Sequence, residues 1–278
     1  MIHTLKHLAY TLKTELATIN EIIANIDSYY ISWSKAKIDK DTGLPQTDMN
    51  GCPRTRQLNS TKRELKIIQK RILSLLMSHI EIPSYAFGGV PKKDNIINAK
   101  YHQGNKYVFT TDLRSFFPSI SHKQVYNLFC KNGYSPTVAH ILTKLTTYKF
   151  QLPQGVPTST LLALLAFKPI GDKLNEYAIQ HNLKFSIFVD DVTISSKEDF
   201  KHLVPEILNI ITTGGYKISH NKTHYKTKNP IITGVKCQNN RIKLPQATYK
   251  RISRLMKSPD DNRYKGLLLY RKRVESLN

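Results

Sequence analysis

Lys184-Phe185-Ser186-Ile187-Phe188-Val189-Asp190-Asp191-Val192-Thr193-Ile194-Ser195 is the stretch on which the reading of this chain turns. Two runs rich in β-branched and aromatic residues, 184–189 and 191–195, read as strands that meet at an acidic pair. Adjacent carboxylates repel, and each loses hydration between apolar strand segments. A turn that carries them there calls for a compensating cation, and oxygen ligands at this density suit Mg²⁺. A second acidic position has the same setting: residues 106–111, KYVFTT, read as a strand running into Asp112. Three carboxylates at strand ends can hold two Mg²⁺ ions, the arrangement that nucleotidyl transfer requires at its attacking and leaving oxygens. A bare Asp-Asp is usually only a polar turn; the motifs around this one change that.

Outward from the pair, residues 199–213 have helical spacing, and strands are expected at 230–237 and 240–244. The basic tail 246–278 is read as helical. On the other side, 122–131, 135–147 and 158–180 read as helices, the last after the turn Gln154-Gly155-Val156-Pro157. Residues 61–80 form a strong amphipathic helix. Residues 1 to about 36 carry Leu5, Leu8, Leu12, Leu16, Ile19, Ile22, Ile23 and Ile26 at helical spacing, and 37–53 read as loop. Runs of helices and strands without βαβ alternation predict an α+β fold with an antiparallel sheet.

The 278 residues carry 42 Lys plus Arg against 20 Asp plus Glu, a formal net charge of +22. So large a surplus makes a polyanion the expected partner, nucleic acid before an anionic membrane. With 40% hydrophobic residues a folded core is expected. No apolar run approaches the ~20 residues of a membrane span, and the first residues lack a continuous apolar region. Cys52, Cys130 and Cys237 are too scattered for a zinc site, so a cytoplasmic setting and no membrane partner are expected.

From about residue 51 to 256 the motifs, in their order, resemble prokaryotic reverse transcriptases, most closely those of retrons. Asp112-Leu113-Arg114-Ser115-Phe116-Phe117-Pro118-Ser119-Ile120 is similar to the family's first catalytic motif. The resemblance implies that Asp112, Leu113, Asp190 and Asp191 make the metal site. It also implies that Phe117 lies under the sugar and rejects a 2′ hydroxyl; of Phe116 and Phe117, one is expected to be plain core. Leu152-Pro153-Gln154-Gly155-Val156-Pro157-Thr158-Ser159 resembles the nucleotide-binding turn, where Gly155 allows close backbone approach and Gln154 contacts nucleotide or template. Thr160 stands where the family usually has Pro. Phe188-Val189-Asp190-Asp191 departs from the more frequent Tyr-Ala-Asp-Asp but keeps both carboxylates. Asn221-Lys222-Thr223 resembles the segment whose Lys lies near the leaving phosphates, so Lys222 is a general acid, a phosphate clamp or a solvated lysine. Arg56, with Arg54 second, matches a triphosphate-gripping Arg, for which a guanidinium fork is suited.

Two motifs point to retrons in particular: Asn98-Ala99-Lys100-Tyr101-His102, and Ile232-Thr233-Gly234. Asn98, His102, Thr233 and Gly234 are therefore candidate RNA contacts, although a lone His is more often structural. In the tail, Lys250, Arg251 and Arg254 are the foremost of a basic series that also includes Lys257, and a basic helix can track a phosphate backbone.

The resemblance implies a right-hand polymerase. Residues 1–50 are an N-terminal helical region, 51–107 and 122–155 fingers, 108–121 and 156–244 palm, and 245–278 a short thumb. It implies RNA-directed DNA synthesis from dNTPs with two Mg²⁺ ions, Mn²⁺ serving as substitute. The template would be a structured noncoding RNA converted to a branched RNA–DNA hybrid, in an antiphage system with a separate effector protein. The rivals are a defence-associated or group II intron-like reverse transcriptase, and an inactive relative that only binds RNA.

Overall fold

The computed structural model describes residues 2–38, 44–256 and 261–277. In chain order these form α1 (Leu5–Thr11), α2 (Leu16–Ala24), β1 (Tyr30–Ala36), β2 (Thr55–Thr61), α3 (Arg63–His79), α4 (Asn95–Tyr101), β3 (Tyr107–Asp112), α5 (His122–Lys131), α6 (Pro136–Thr146) and α7 (Ser159–Gln180). Then follow β4 (Lys184–Phe188), β5 (Asp191–Ser196), α8 (Val204–Thr213), β6 (His224–Lys226), β7 (Ile231–Ile232), β8 (Val235–Cys237), β9 (Ile242–Lys243), α9 (Gln246–Leu255) and α10 (Asn262–Glu275). The chain divides into two compact units, residues 1–82 with 115–167, and residues 83–114 with 168–278.

In the first unit α6 packs with α1, α2, α3 and α5. The buried Leu8, Leu12, Ile19, Ile22, Leu65, Ile72 and Leu76 are the apolar positions of helical period, each contributing about 1.5–3 kcal/mol by leaving water. Helix starts follow their caps. Ser121 and Gln124 make a reciprocal capping box on α5, and Ser135 caps α6 just ahead of Pro136. The N-terminal helices end sooner than the expected 36. Residues Tyr30–Ala36 are instead a strand, paired antiparallel with β2 so that Lys35 faces Arg56. Of the loop expected at 37–53, residues 39–43 lie outside the described residues.

The second unit holds an antiparallel sheet in the order β4-β5-β3-β6. A smaller sheet, β7-β8-β9, packs its Ile232, Val235, Cys237 and Ile242 with Ile96 and Ala99 of α4, Ile252 of α9 and Val274 of α10. The single strand expected over 230–237 is a hairpin: Ile232 faces Val235, and Thr233 (φ 45°) and Gly234 (φ 87°) make its two-residue turn. Helices with antiparallel sheets make this the expected α+β fold.

Candidate active site

Three strands position the carboxylates. The β3–β5 register sets Asp112 directly opposite Asp191, and Asp190 precedes β5 in the turn from β4. One ligand oxygen from each of Asp112, Asp190 and Asp191 can be chosen so that all three lie within 4.8 Å of one another. Like charges facing each other across a ladder destabilise a sheet. Here the backbone nonetheless holds them: Leu113 N donates to Asp190 O (2.8 Å), Arg114 N to Lys217 O (2.7 Å) and Ser219 N to Asp112 O (2.8 Å).

The Lys222 ammonium lies 2.5 Å from Asp112 Oδ1. Asp112 is nearly buried, whereas the Lys222 side chain is 60% exposed, so the cation reaches in from the solvent side. Thr223 fixes the segment through a 2.7 Å hydrogen bond between its hydroxyl and that of Thr111. A cluster of carboxylate oxygens already drawing in one hard cation fits Mg²⁺ by donor chemistry. Leu113, expected beside the metal, has a buried side chain and contributes the backbone hydrogen bond to Asp190.

The turn itself is strained. Val189 has φ 59°, a left-handed conformation that a β-branched residue rarely adopts. A feature that the sequence reading missed braces it. Residues 84–88 run along the free edge of β4: Phe87 N donates to Ile187 O, Ile187 N donates to Tyr85 O, both at 2.9 Å, and Ala86 bridges Ile187 in parallel. Lys93 Nζ ties this strap by donating to Ser84 O (2.7 Å) and Ala86 O (2.8 Å). A Cβ on Gly88 would lie 2.4 Å from Val189 N and 2.7 Å from its Cγ2. Only glycine allows the strap so close to the acidic turn. The Gly88-Gly89 pair was the available signal.

The first unit brings together another predicted set. Asn59 N on β2 donates to Gln154 O (2.8 Å), and a Cβ on Gly155 (φ 109°) would meet Asn59 O at 2.7 Å. The close backbone approach at Gly155 is thus made by β2, the strand that also carries the exposed Arg56; Arg54, just before it, is exposed too. Phe116 and Phe117 are both buried; their ring centroids are 5.8 Å apart, and Phe116 meets Phe167 edge-on.

The two retron-like motifs meet each other. The Asn98 amide donates to Thr233 Oγ1 (3.3 Å), Thr233 Oγ1 donates to Asn95 O (3.0 Å), and Asn95 Nδ2 donates to Thr233 O (3.0 Å). Asn98 and His102 are fully buried. The His102 ring nitrogens lie 2.6 Å from Ser195 Oγ and 2.7 Å from Ser186 Oγ, one donating and the other accepting. Burial, with the charge of Lys184 second, pushes its pKa down to about 3. The expectation that Asn98 and His102 touch RNA is corrected here: both are interior, and they join α4 to β4, β5 and the β7–β8 turn.

In the tail, Lys250, Arg251 and Arg254 lie exposed on α9. Three other tail cations are engaged by carboxylates: Arg263 with Asp261, Arg271 with Glu275 and Arg273 with Asp94. Lys257 lies outside the described residues.

Residues 38–244 match the family model described as reverse transcriptase (RNA-dependent DNA polymerase), well over half the chain. The chain belongs to the reverse transcriptase family. This reverse transcriptase is of the retron type. It is 28% identical over 204 residues to the retron Ec86 reverse transcriptase of Escherichia coli, covering 72% of this chain and 63% of that protein. It is 32% identical over 190 residues to the retron Se72 reverse transcriptase of Salmonella heidelberg, covering 67% of this chain and 50% of that one. The matched region therefore spans less than two thirds of either relative. A telomerase from Candida albicans in complex with a fragment of telomeric RNA shares 10% identity at a TM-score of 0.48, over 66% of this chain and 38% of that one. No helix among the described residues is long and apolar enough to cross a membrane.

Proposed function

We propose that this reverse transcriptase copies a cognate structured noncoding RNA into DNA and leaves a branched RNA–DNA hybrid. The observation that carries the polymerase reading is the convergence of Asp112, Asp190 and Asp191 at the ends of paired strands, with Lys222 on Asp112. In this reading the three carboxylates hold two Mg²⁺ ions, or Mn²⁺ in their place, which supply Lewis-acid stabilisation of the attacking and leaving oxygens. The chain's own groups do the rest. Lys222 turns from Asp112 to the leaving phosphates, where an ammonium can neutralise charge or give up a proton. Arg56 and Arg54 grip the triphosphate, Gln154 and Gly155 seat the dNTP, and Phe117 excludes a 2′ hydroxyl. The first unit then contains the N-terminal helices and most of the fingers, and the second most of the palm with the short thumb, whose Lys250, Arg251 and Arg254 follow the RNA backbone.

The branch, the antiphage role and a separate effector protein rest on the resemblance to retron reverse transcriptases, and a cytoplasmic setting rests on the scattered cysteines. The test is to purify the protein from cells carrying its native flanking DNA and analyse the bound nucleic acid. The proposal expects a DNA strand that survives RNase and shortens on treatment with debranching enzyme. Unbranched DNA would favour another reverse transcriptase class, and RNA alone would favour an inactive RNA-binding relative.

A further inference from the structure

A short hairpin, residues 148–151, lies just before the Gln154-Gly155 turn. Tyr148 and Gln151 pair across a two-residue loop, with Tyr148 N donating to Gln151 O (2.9 Å) and Gln151 N to Tyr148 O (3.2 Å). The loop residues, Lys149 (φ 49°) and Phe150 (φ 61°), are both left-handed. That is the pattern of a type I′ turn, which favours Asn-Gly and leaves a Lys-Phe pair strained at both positions.

The stem beneath the tip is fixed. Tyr148 stacks on Tyr30 with centroids 4.0 Å apart and planes 13° from parallel. His122 N donates to Phe150 O (2.9 Å), and Leu152 N donates to Ile120 O (2.9 Å). Yet Phe150 is 85% exposed, touched edge-on by the His122 ring at 6.3 Å. A rigid stem is spent on presenting an apolar ring to solvent in a conformation the backbone disfavours.

The surroundings select the occupant. Lys149 stands over Tyr148, and His122 has its pKa lowered by burial and by the nearby His140 and Lys144. Among the described residues, Asp27 is an acid at this hairpin, and it sits at the Tyr148 hydroxyl on the stem. A second copy of so basic a chain would be repelled by such a tip, whereas a nucleic acid strand offers both a π-face and a phosphate.

We propose that the Lys149-Phe150 tip is a base-stacking platform for single-stranded RNA: an unpaired base lies on Phe150 and the adjoining phosphate meets Lys149. This rests on the reading of the chain as an RNA-binding reverse transcriptase and adds a contact outside the candidate active site.

The test is the affinity of the full chain for a fluorescein-labelled single-stranded RNA 20-mer, read by anisotropy, with melting temperature measured on the same samples. Phe150→Ala and Phe150→Leu should weaken binding about 5- to 150-fold, the range of one lost base–aromatic stack, and Phe150→Trp should retain it. The Lys149→Asn, Phe150→Gly double variant should bind more weakly yet melt about 2–4 °C higher, because the turn strain is relieved. Equal binding by wild type and Phe150→Ala overturns the inference and leaves the polymerase reading intact. So does a double variant that melts lower, or a Phe150→Ala variant whose only change is loss of self-association. A wild-type chain that does not bind the RNA at all overturns both.

Discussion

The β4–β5 hairpin and the β7–β8 hairpin both carry family motifs, and both turn through a non-glycine residue at positive φ, Val189 and Thr233. Their polar groups go opposite ways. At the first, three carboxylates gather with their charges facing each other and draw a lysine in from solvent. At the second, Thr233 is tied to Asn95 and Asn98, and on the same α4 segment His102 is sealed between two serines. A polar motif that gathers like charges at one turn is built for a ligand. One whose groups bond within the fold, as Thr233 and His102 do, is built to hold elements together. A motif therefore fixes where a residue stands, and burial and partners decide what it does.

The comparison can be broken at the first hairpin by disturbing its brace. Gly88→Ala would place a methyl against Val189 N, forcing the acidic turn to move. A displacement near 1 Å at a reacting centre lowers rates on the order of 100-fold. The expected outcome is a fall of that size in kcat for dNTP incorporation, with RNA affinity unchanged. An unchanged kcat would show that the turn holds its geometry without the strap.

The internal side of the comparison, the α4 segment with His102, is probed by pH. The folded pKa of His102, about 3, lies below the 6.5 of an ordinary imidazole, so the unfolded chain takes up a proton that the folded chain refuses. The resulting stability is complete above pH 6.5 and is lost as pH falls toward 3, by about 1.4 kcal/mol per pH unit. Chemical denaturation of wild type and His102→Gln between pH 7.5 and 5 should show a shallower acid slope in the variant. Parallel slopes would mean that His102 is not held neutral.

The sequence made the acidic hairpin legible because β-branched runs, a charge pair and flanking motifs agreed over a short span. It did not announce β1, where YISWSKA follows two amphipathic helices and its mostly exposed side chains show no buried alternation. The β7–β8 turn was hidden for a related reason: with only two and three residues, its strands look like one. Gly155 was expected to allow close approach at a nucleotide-binding turn; the neighbour in the fold is the backbone of Asn59, a contact between residues far apart in the chain. The burial of His102 depends on Ser186 and Ser195, more than 80 residues away, and no local pattern contains it.

The central claim is that Asp112, Asp190 and Asp191 form one metal-dependent polymerisation centre. The most direct measurement is Mg²⁺-dependent dNTP incorporation on a primed RNA template by wild type and by Asp190→Asn, which is close in shape but lacks the charge. The account predicts incorporation by the wild type and a loss on the order of 1000-fold in the variant, with its melting temperature retained. An Asp190→Asn protein that extends the primer as fast as wild type would contradict it.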